Sequence, residues 1–288
     1  MMEDLKAIFT KEYIAKLERL SIGLTERLGA VGYSGGRKSS AKGSSLEFSD
    51  FREYIPGDDL RRVDWNGYGR FDKLYLKLFL EEKQAAVNLF LDTSKSMDFG
   101  GKAVMAKALA ASLAYIAAGG GDRTQIFAFS EKTGAQKQGI TKKGQLAETL
   151  DFLDGLEPCG GTDYLRAIRE RSGLGRGVSI ILSDFLSEQA PWDAVKLLQE
   201  KKQEVYLLRI LTPEEIEPQR GGMVRLVDSE TGETRDLELS DHAVSAYKQA
   251  LRQQESALRE FCWQRGAGYC RTDTETSLLT VLEQLLNG

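Results

Sequence analysis

The sequence predicts an α/β protein with a mostly parallel sheet and helices on both faces. From residue 86 onward, short apolar segments that are typical of buried strands alternate with segments of helical pattern. The strands are predicted at residues 87–91, 124–129, 178–182 and 205–211. Continuous apolar strands that alternate with helices indicate a parallel sheet, because the helical crossovers cover both of its faces.

The intervening helices are predicted at residues 102–118, 144–153 and 190–201. The first is rich in alanine and has few polar positions, so we expect it to be covered on most sides. After the last strand the order changes, and we expect a hairpin over 223–239, a long helix over 241–265, a strand over 268–271 and a closing helix over 276–286.

We therefore divide the chain into an N-terminal segment, residues 1–82, and a main domain, residues 83–288, with a hairpin insertion near 222–240. Residues 2–29 carry apolar side chains at helical spacing and predict one or two amphipathic helices. These helices would pack on the main domain or, as the alternative, bind a partner. The rest of the segment would pack on the main domain or form a small β-rich subdomain.

Composition narrows the class of protein. The 39 basic and 43 acidic residues give a formal charge of −4, which argues against a dedicated nucleic-acid binder. Three widely spaced cysteines fit a reducing compartment better than a disulfide framework. The first 20 residues lack the apolar core of a signal peptide, and the longest apolar stretch, 108–118, is too short to span a bilayer. We expect a soluble, cytoplasmic protein.

The strongest candidate for a functional site follows the strand at 87–91. Asp92 ends this strand, and hydroxyl side chains follow at Ser94 and Ser96. Open α/β sheets place their sites at the carboxyl ends of strands. A carboxylate and two hydroxyls are hard oxygen donors, which suit a cation such as Mg²⁺.

Two further loops offer oxygen donors at the same predicted edge of the sheet. Thr162 lies in a Gly-Gly-Thr-Asp segment before a predicted helix, and Asp184 follows the strand at 178–182. Each has an ordinary alternative role, because Thr162, Asp184, Ser94 and Ser96 could all cap a helix or turn. Asp163 is a further acid nearby, so the number of ligands stays open.

Residues 46–82 combine aromatic, acidic and basic side chains around Pro56-Gly57, a dipeptide that suits a type II turn. Paired arginines and carboxylates would make a salt-bridged cap on the domain. Arginine and aromatic residues are also favoured at binding hot spots, so the same segment could be a docking surface. The candidate partner-binding residues are Arg52, Asp58, Asp59, Arg61, Asp64, Trp65 and Arg70.

These residues carry a resemblance. The Asp92-x-Ser94-x-Ser96 motif, the threonine of Gly-Gly-Thr-Asp and the Ser-Asp after an apolar strand resemble the metal-ion-dependent adhesion site of von Willebrand factor A domains. The segment from Glu47 to Arg70, with its Pro-Gly-Asp-Asp, resembles the family named domain of unknown function 58. Members of that family are von Willebrand A-like proteins found with MoxR-type AAA+ ATPases.

The resemblance implies a von Willebrand A-like, Rossmann-like fold and a site in which Ser94, Ser96 and Thr162 hold Mg²⁺, or Mn²⁺ or Ca²⁺, through their hydroxyls. Asp92 and Asp184 would act directly or through water, and an acidic residue of a partner would complete the coordination. It also implies a non-catalytic adaptor or co-chaperone that helps a MoxR-type ATPase act on a client protein, in assembly, activation or cofactor insertion.

Two other functions compete with this interpretation. A Mg²⁺-dependent hydrolase of phosphate esters needs a nucleophile or activated water. The single histidine, His242, lies on a predicted surface helix, which argues against a Ser-His-Asp arrangement, and no zinc-ligand spacing is present. Nucleic-acid or phosphate binding would rest on the basic glycine loop at 32–45 and nearby arginines, but the loop does not match a P-loop and acids surround the arginines.

Overall fold

The computed structural model describes residues 4–20, 47–56, 58–60, 63–65, 68, 73–80, 85–218, 223–227, 234–238 and 240–287. The chain forms two compact units. The first contains Met1–Gly36 and Ala85–Gly288, and the second contains Arg37–Gln84.

The strands in chain order are β1 (Glu47–Glu53), β2 (Tyr75–Leu80), β3 (Ala86–Asp92), β4 (Arg123–Phe129), β5 (Thr133–Ile140), β6 (Gly177–Ser183), β7 (Gln203–Leu211), β8 (Met223–Val227), β9 (Thr234–Glu238) and β10 (Gly268–Asp273). The helices are α1 (Leu5–Ile8), α2 (residues 11–20), α3 (Lys102–Gly119), α4 (Leu146–Asp154), α5 (Tyr164–Arg169), α6 (Trp192–Glu200), α7 (Pro213–Ile216), α8 (Asp241–Arg265) and α9 (Leu278–Asn287). Short 3₁₀ turns cover Lys95–Asp98 and Lys143–Gln145.

A six-stranded sheet forms the centre of the first unit, with strand order β10-β7-β6-β3-β4-β5. Every neighbouring pair is parallel except β4 and β5, which are antiparallel. This confirms the predicted α/β class and the mostly parallel sheet. The edge strand β5 was not predicted, because its sequence Thr-Gly-Ala-Gln-Lys-Gln-Gly-Ile has no apolar alternation. Backbone pairing with β4 is what places this segment in the sheet.

Helices cover both faces of the sheet. Leu89 and Leu91 of β3 pack into a core with α1, α3, α4 and α9, whereas Phe90 packs into a second core with α5, α6 and α8. This alternation follows from the two-residue period of a strand. Helix α3 lies in the first core and is buried on nearly all sides, as its composition predicts.

Helix α3 is also long and apolar enough to cross a membrane by length and composition, with a mean hydropathy of 1.2. Of that helix, 78% is buried within the fold. A core helix of a folded domain satisfies the same criterion.

The N-terminal helices pack on α3 in the first unit. Leu5 and Leu17 are buried in the core that contains this helix. The Tyr13 hydroxyl lies 2.9 Å from Ser112 Oγ, and the Tyr115 hydroxyl donates to Glu18. Residues 21–29 of the predicted helical region lie outside the described residues.

The second unit contains an antiparallel pair, β1 and β2, and an isolated bridge from Val63 to Leu76 of β2. In the first unit, β8 and β9 also pair in antiparallel fashion, with Met223 opposite Glu238, where the sequence predicted a hairpin. Residues 228–233, between the two strands, lie outside the described residues.

Candidate metal centre

Asp92 ends the central strand β3 and is buried, with 2% of its surface exposed. Its carboxylate accepts hydrogen bonds from three directions. The Ser94 amide donates to Oδ1 at 2.8 Å, and the hydroxyls of Ser183 and Thr162 donate to Oδ2 at 2.6 and 3.4 Å. From β3 the chain adds β4 and β5 on one side of the sheet and then returns to add β6 on the other side. The Asp92 carboxylate therefore lies at the topological switch point of the sheet. Such switch points are the usual ligand sites of open α/β sheets.

The hydroxyl donors converge on the same edge. Ser94 is fully buried, Ser96 is half-buried, and their Oγ atoms are 3.1 Å apart. Backbone hydrogen bonds join this loop to the loop that carries Thr162: Lys95 N donates to Gly160 O at 2.9 Å, and Cys159 N donates to Thr93 O at 2.8 Å. These backbone bonds hold the two loops, and the hydroxyls that they carry, close together.

Asp184 follows β6 and is also buried, at 1% exposure. Its Oδ1 accepts from the Leu186 amide at 3.0 Å, and its Oδ2 accepts from Lys102 Nζ at 2.8 Å. The next residue, Phe185, has φ of 52°, and its ring stacks on Tyr164 at 5.5 Å between centroids. A left-handed conformation in a bulky residue indicates that the surrounding contacts hold this turn in place.

Two buried cations lie next to Asp184. Lys102, at 1% exposure, also donates to Glu215 Oε1 at 2.5 Å. Arg209, fully buried in β7, donates through Nε to the Asp184 carbonyl oxygen at 3.0 Å and through a terminal nitrogen to Gln254 Oε1 at 2.6 Å. The cluster therefore contains three carboxyl groups, those of Asp92, Asp184 and Glu215, and two basic side chains.

These charges perturb the ionisation of the site. Burial, and then the nearby Asp184 carboxylate, raise the pKa of Asp92 from 3.8 to about 7, against the lowering effect of its hydrogen bonds. Burial and the charge of Asp92 raise the pKa of the Tyr164 phenol well above its ordinary value. The energetic cost of an ionised Asp92 is therefore the main electrostatic feature of this edge.

The donor set fits a small divalent cation. In an octahedron with metal–oxygen distances of about 2.1 Å, neighbouring oxygens lie about 3.0 Å apart. The 3.1 Å between Ser94 Oγ and Ser96 Oγ and the 3.4 Å between Thr162 Oγ1 and Asp92 Oδ2 are close to that separation. Within the described residues, Asp92 has no cationic partner at ion-pair distance, so its buried charge lacks a counter-ion. In that part of the chain, no group of three or more His, Cys, Asp or Glu side chains is suited to a metal.

The structure brings together the five residues that the sequence nominated as ligands, Asp92, Ser94, Ser96, Thr162 and Asp184. The helix and turn caps that the sequence also allowed for these side chains explain little of their arrangement. Ser94 makes no side-chain cap to the 3₁₀ turn that follows it, and the cap of α5 is Asp163 rather than Thr162. Asp184 does close a turn through the Leu186 amide while it binds Lys102.

Sequence reasoning missed four residues that complete the cluster: Ser183 as a donor to Asp92, and Lys102, Glu215 and Arg209. Arg209 offered a signal, because a charged residue inside the apolar strand β7 requires a buried partner. Lys102 also offered a weak signal, because a basic residue at a helix start faces the positive end of the helix dipole. Glu215 offered none, since acidic residues are ordinary in the first turn of a helix.

The nominated partner-binding residues all belong to the second unit. Arg52 and Asp58 form a bidentate ion pair at 2.8 and 2.7 Å, and Asp58 also accepts from the Ile55 amide. The Asp64 amide donates to the Tyr75 carbonyl oxygen. Arg61 and Arg70 lie outside the described residues, and Asp59 has an interaction partner.

Trp65 in the same unit is 60% exposed and meets Tyr68 edge to face at 6.5 Å. Other large apolar side chains on this unit are also exposed, namely Phe51, Ile55 and Leu60. The described part of the second unit therefore presents apolar surface, while its Arg52–Asp58 pair is internally neutralised.

Fold and site together define the class: an α/β protein with a mostly parallel sheet and a cluster of carboxylates and hydroxyls at its carboxyl edge. The chain belongs to the family described as Protein of unknown function DUF58, whose profile matches residues 50–257. Among its relatives are uncharacterized proteins of Mycobacterium tuberculosis and Mycobacterium bovis, each 28% identical over 239 residues, which cover 78% of this chain and 73% of the relative.

Solved structures with similarity include the conserved hypothetical protein BatB from Bacteroides thetaiotaomicron. It is 19% identical, with a TM-score of 0.43, and the match covers 70% of this chain and 97% of BatB. An aerotolerance-related membrane protein from Bacteroides fragilis is 20% identical, with a TM-score of 0.43, over 70% of this chain and 98% of that protein. At these scores the similarity identifies no function.

Proposed function

We propose that this protein is a non-catalytic, metal-dependent protein-interaction module with a von Willebrand A-like fold. The carrying observation is Asp92: a buried carboxylate that accepts from the hydroxyls of Thr162 and Ser183 and lacks a cationic partner among the described residues. Asp92, Ser94, Ser96, Thr162 and Asp184 would hold Mg²⁺, or Mn²⁺ or Ca²⁺. When bound, the cation would supply a Lewis-acidic centre with a position open to a carboxylate.

The protein's own groups favour a binding role for this centre. The loops of Ser94 and Thr162 are joined by backbone hydrogen bonds, so the donors are organised in advance. Ser183 holds Asp92 from the neighbouring strand and is itself held by the Tyr164 hydroxyl at 2.9 Å. A carboxylate from a partner would meet a preformed site, which reduces the entropic cost of association.

The partner is proposed to be a MoxR-type AAA+ ATPase together with a client protein, on the strength of the family resemblance. An acidic residue of one of them would complete the metal centre, and Trp65 and the apolar residues around it would give a second contact. The complex would form in the cytoplasm, where the three free cysteines would stay reduced.

Calorimetric titration with Mg²⁺ tests the centre itself. We expect wild type to bind and Asp92→Asn to lose binding, because the substitution removes the carboxylate of the cluster that has no cationic partner among the described residues. Asp163→Asn is the matched control: Asp163 lies one residue from Thr162 but only caps α5, and asparagine caps equally well. Equal binding by wild type and Asp92→Asn would reject the metal centre.

The interaction role is tested by titrating a MoxR-type ATPase in Mg²⁺ and in chelator. We expect the metal and an intact Asp92 to be required for binding. If the ATPase binds equally in chelator, the metal is not the bridge. Mg²⁺-dependent turnover of phosphate esters that disappears in Asp92→Asn would instead establish the hydrolase.

A further inference from the structure

A buried lysine lies directly behind the candidate metal centre. Lys102 opens helix α3, six residues after Ser96, and its Nζ donates to Asp184 Oδ2 at 2.8 Å and to Glu215 Oε1 at 2.5 Å. Its side chain and that of Asp184 are each 1% exposed, and that of Glu215 is 14% exposed. An ammonium group out of water is costly, so two carboxylates are a reasonable compensation for one buried cation.

The lysine does not take the place of the candidate metal ion. Within the described residues, its ion pairs are with Asp184 and Glu215, and Asp92 is not at ion-pair distance from it. Asp92 experiences Asp184 as its principal charged neighbour. The charged groups therefore follow one another across the site in the order Asp92, Asp184, Lys102 and Glu215. The first two are both acidic, and Lys102 lies between the two acids Asp184 and Glu215.

Glu215 is held where it is by the start of α7. Its Oε2 accepts from the Thr212 amide at 2.8 Å, while its own amide donates to Thr212 Oγ1 at 3.1 Å. This reciprocal capping box leaves Oε1 for Lys102. The position of the lysine is thus set by two carboxylates that are each fixed by backbone hydrogen bonds, Asp184 through the Leu186 amide and Glu215 through Thr212.

We propose that Lys102 sets the strength of the metal centre by sharing Asp184, so that the isolated protein binds divalent cations weakly. This rests on the proposed function. With Asp184 bonded to an ammonium group, Asp92 is the carboxyl group of the cluster that has no cationic partner among the described residues. Glu215 has the opposite effect on cation binding, because its carboxylate offsets part of the positive charge that Lys102 places beside Asp184.

The inference predicts a gain of function on removal of a charge. In Lys102→Met, we expect Mg²⁺ to bind about tenfold more tightly or better, because a unit charge a few ångströms away is removed from a poorly solvated site. Calorimetry and the shift of the unfolding temperature on addition of Mg²⁺ measure this. A substitution that only damaged the fold would weaken binding. Lys142→Met is the control, an exposed lysine after β5, the antiparallel strand that leads away from the carboxyl edge of the sheet, and we expect wild-type affinity for it.

A second variant keeps the lysine and the fold. In Glu215→Gln the single amide oxygen can accept from the Thr212 amide or from Lys102 but not from both, and the charge is lost, so the only carboxylate that pairs with Lys102 is Asp184 and we expect several-fold weaker Mg²⁺ binding. Glu214→Gln, at the exposed neighbouring position, is the control and should leave the affinity unchanged. This pair keeps the inference testable if Lys102→Met does not fold.

The outcomes separate the two proposals. Equal Mg²⁺ affinity in wild type, Lys102→Met and Glu215→Gln would overturn the role of Lys102 and leave the metal centre standing. Absence of Mg²⁺ binding in all of them would overturn both. Tighter binding in Lys102→Met together with weaker binding in Glu215→Gln, with both controls unchanged, would support the inference.

Discussion

The Ser183 hydroxyl donates a 2.6 Å hydrogen bond to Asp92 Oδ2 from the neighbouring strand β6. The same hydroxyl oxygen accepts from the Phe185 amide and lies 2.9 Å from the Tyr164 hydroxyl. Ser183 thus connects the buried carboxylate to the left-handed turn after β6 and to helix α5. A single small side chain organises three parts of the site.

Ser183→Ala is therefore expected to lower the free energy of unfolding by about 1–3 kcal/mol, because it removes a buried donor to Asp92 and leaves Tyr164 without that partner. Urea denaturation in chelator measures the loss. Tyr164→Phe serves as the comparison, since it removes the hydroxyl contact to Ser183 but keeps the bond from Ser183 to Asp92. If Ser183→Ala and Tyr164→Phe cost the same, the bond to Asp92 contributes nothing.

The raised pKa of Asp92 predicts a characteristic pH dependence of stability without metal. Because the folded state binds this proton more tightly than the unfolded chain, the contribution is greatest below the ordinary value of 3.8 and is lost as pH rises to about 7. The loss amounts to as much as about 4 kcal/mol if the unfolded group titrates normally.

Asp92→Asn isolates this contribution, since the amide cannot ionise. Denaturant unfolding in chelator measures the free energy of unfolding of both proteins. Because the pKa of Asp92 is raised, we expect the free energy of unfolding of wild type minus that of Asp92→Asn to fall steadily between pH 4 and pH 7. A difference that stays constant over this range would show that Asp92 is ionised in the folded protein at all of these values.

Gly100 and Gly101 in the site loop provide a matched pair. Both have positive φ, 58° and 83°, but a Cβ on Gly100 would lie 2.3 Å from Thr212 Cγ2, whereas a Cβ on Gly101 would meet nothing within 4 Å. Gly101→Ala should cost only the conformational strain of roughly 1–2 kcal/mol. Gly100→Ala should cost clearly more.

Thr212→Ser in the Gly100→Ala background removes the clashing methyl and keeps the hydroxyl that caps α7. We expect it to recover most of the difference from Gly101→Ala in thermal or urea unfolding. Failure to recover would mean that the loop moves elsewhere and that the close approach of Gly100 to Thr212 is not what holds it.

The apolar surface of the second unit predicts a separation of binding from folding. Trp65→Ala should change the unfolding temperature little, because the side chain is 60% exposed, and should weaken binding of the ATPase about tenfold or more. Trp263→Ala on α8 is the control, a tryptophan that is 83% exposed in the first unit. Equal effects on binding would move the docking surface away from Trp65.

Apart from β5 and the short helix α7, local patterns in the sequence were sufficient for the order of strands and helices from residue 86 onward and for the segment Asp92–Ser96, because strand and helix periods are properties of neighbouring residues. They failed for β5 and β1, where backbone pairing rather than apolar alternation forms the strand. They indicated Thr162 as a possible cap of the helix that follows it, whereas Asp163 caps α5 and the Thr162 hydroxyl donates to Asp92 instead.

The sequence by itself determined the α/β class and the five hard oxygen donors that follow its strands and loops. Only the tertiary structure decided which polar and charged groups lie beside those donors. Ser183 meets Asp92 across 91 residues, and Lys102 meets Asp184 across 82 and Glu215 across 113. Contacts between residues so far apart in sequence depend on the order of the parallel strands in the sheet. That order determines that Asp184 pairs with a lysine and that Asp92 lacks a cationic partner among the described residues.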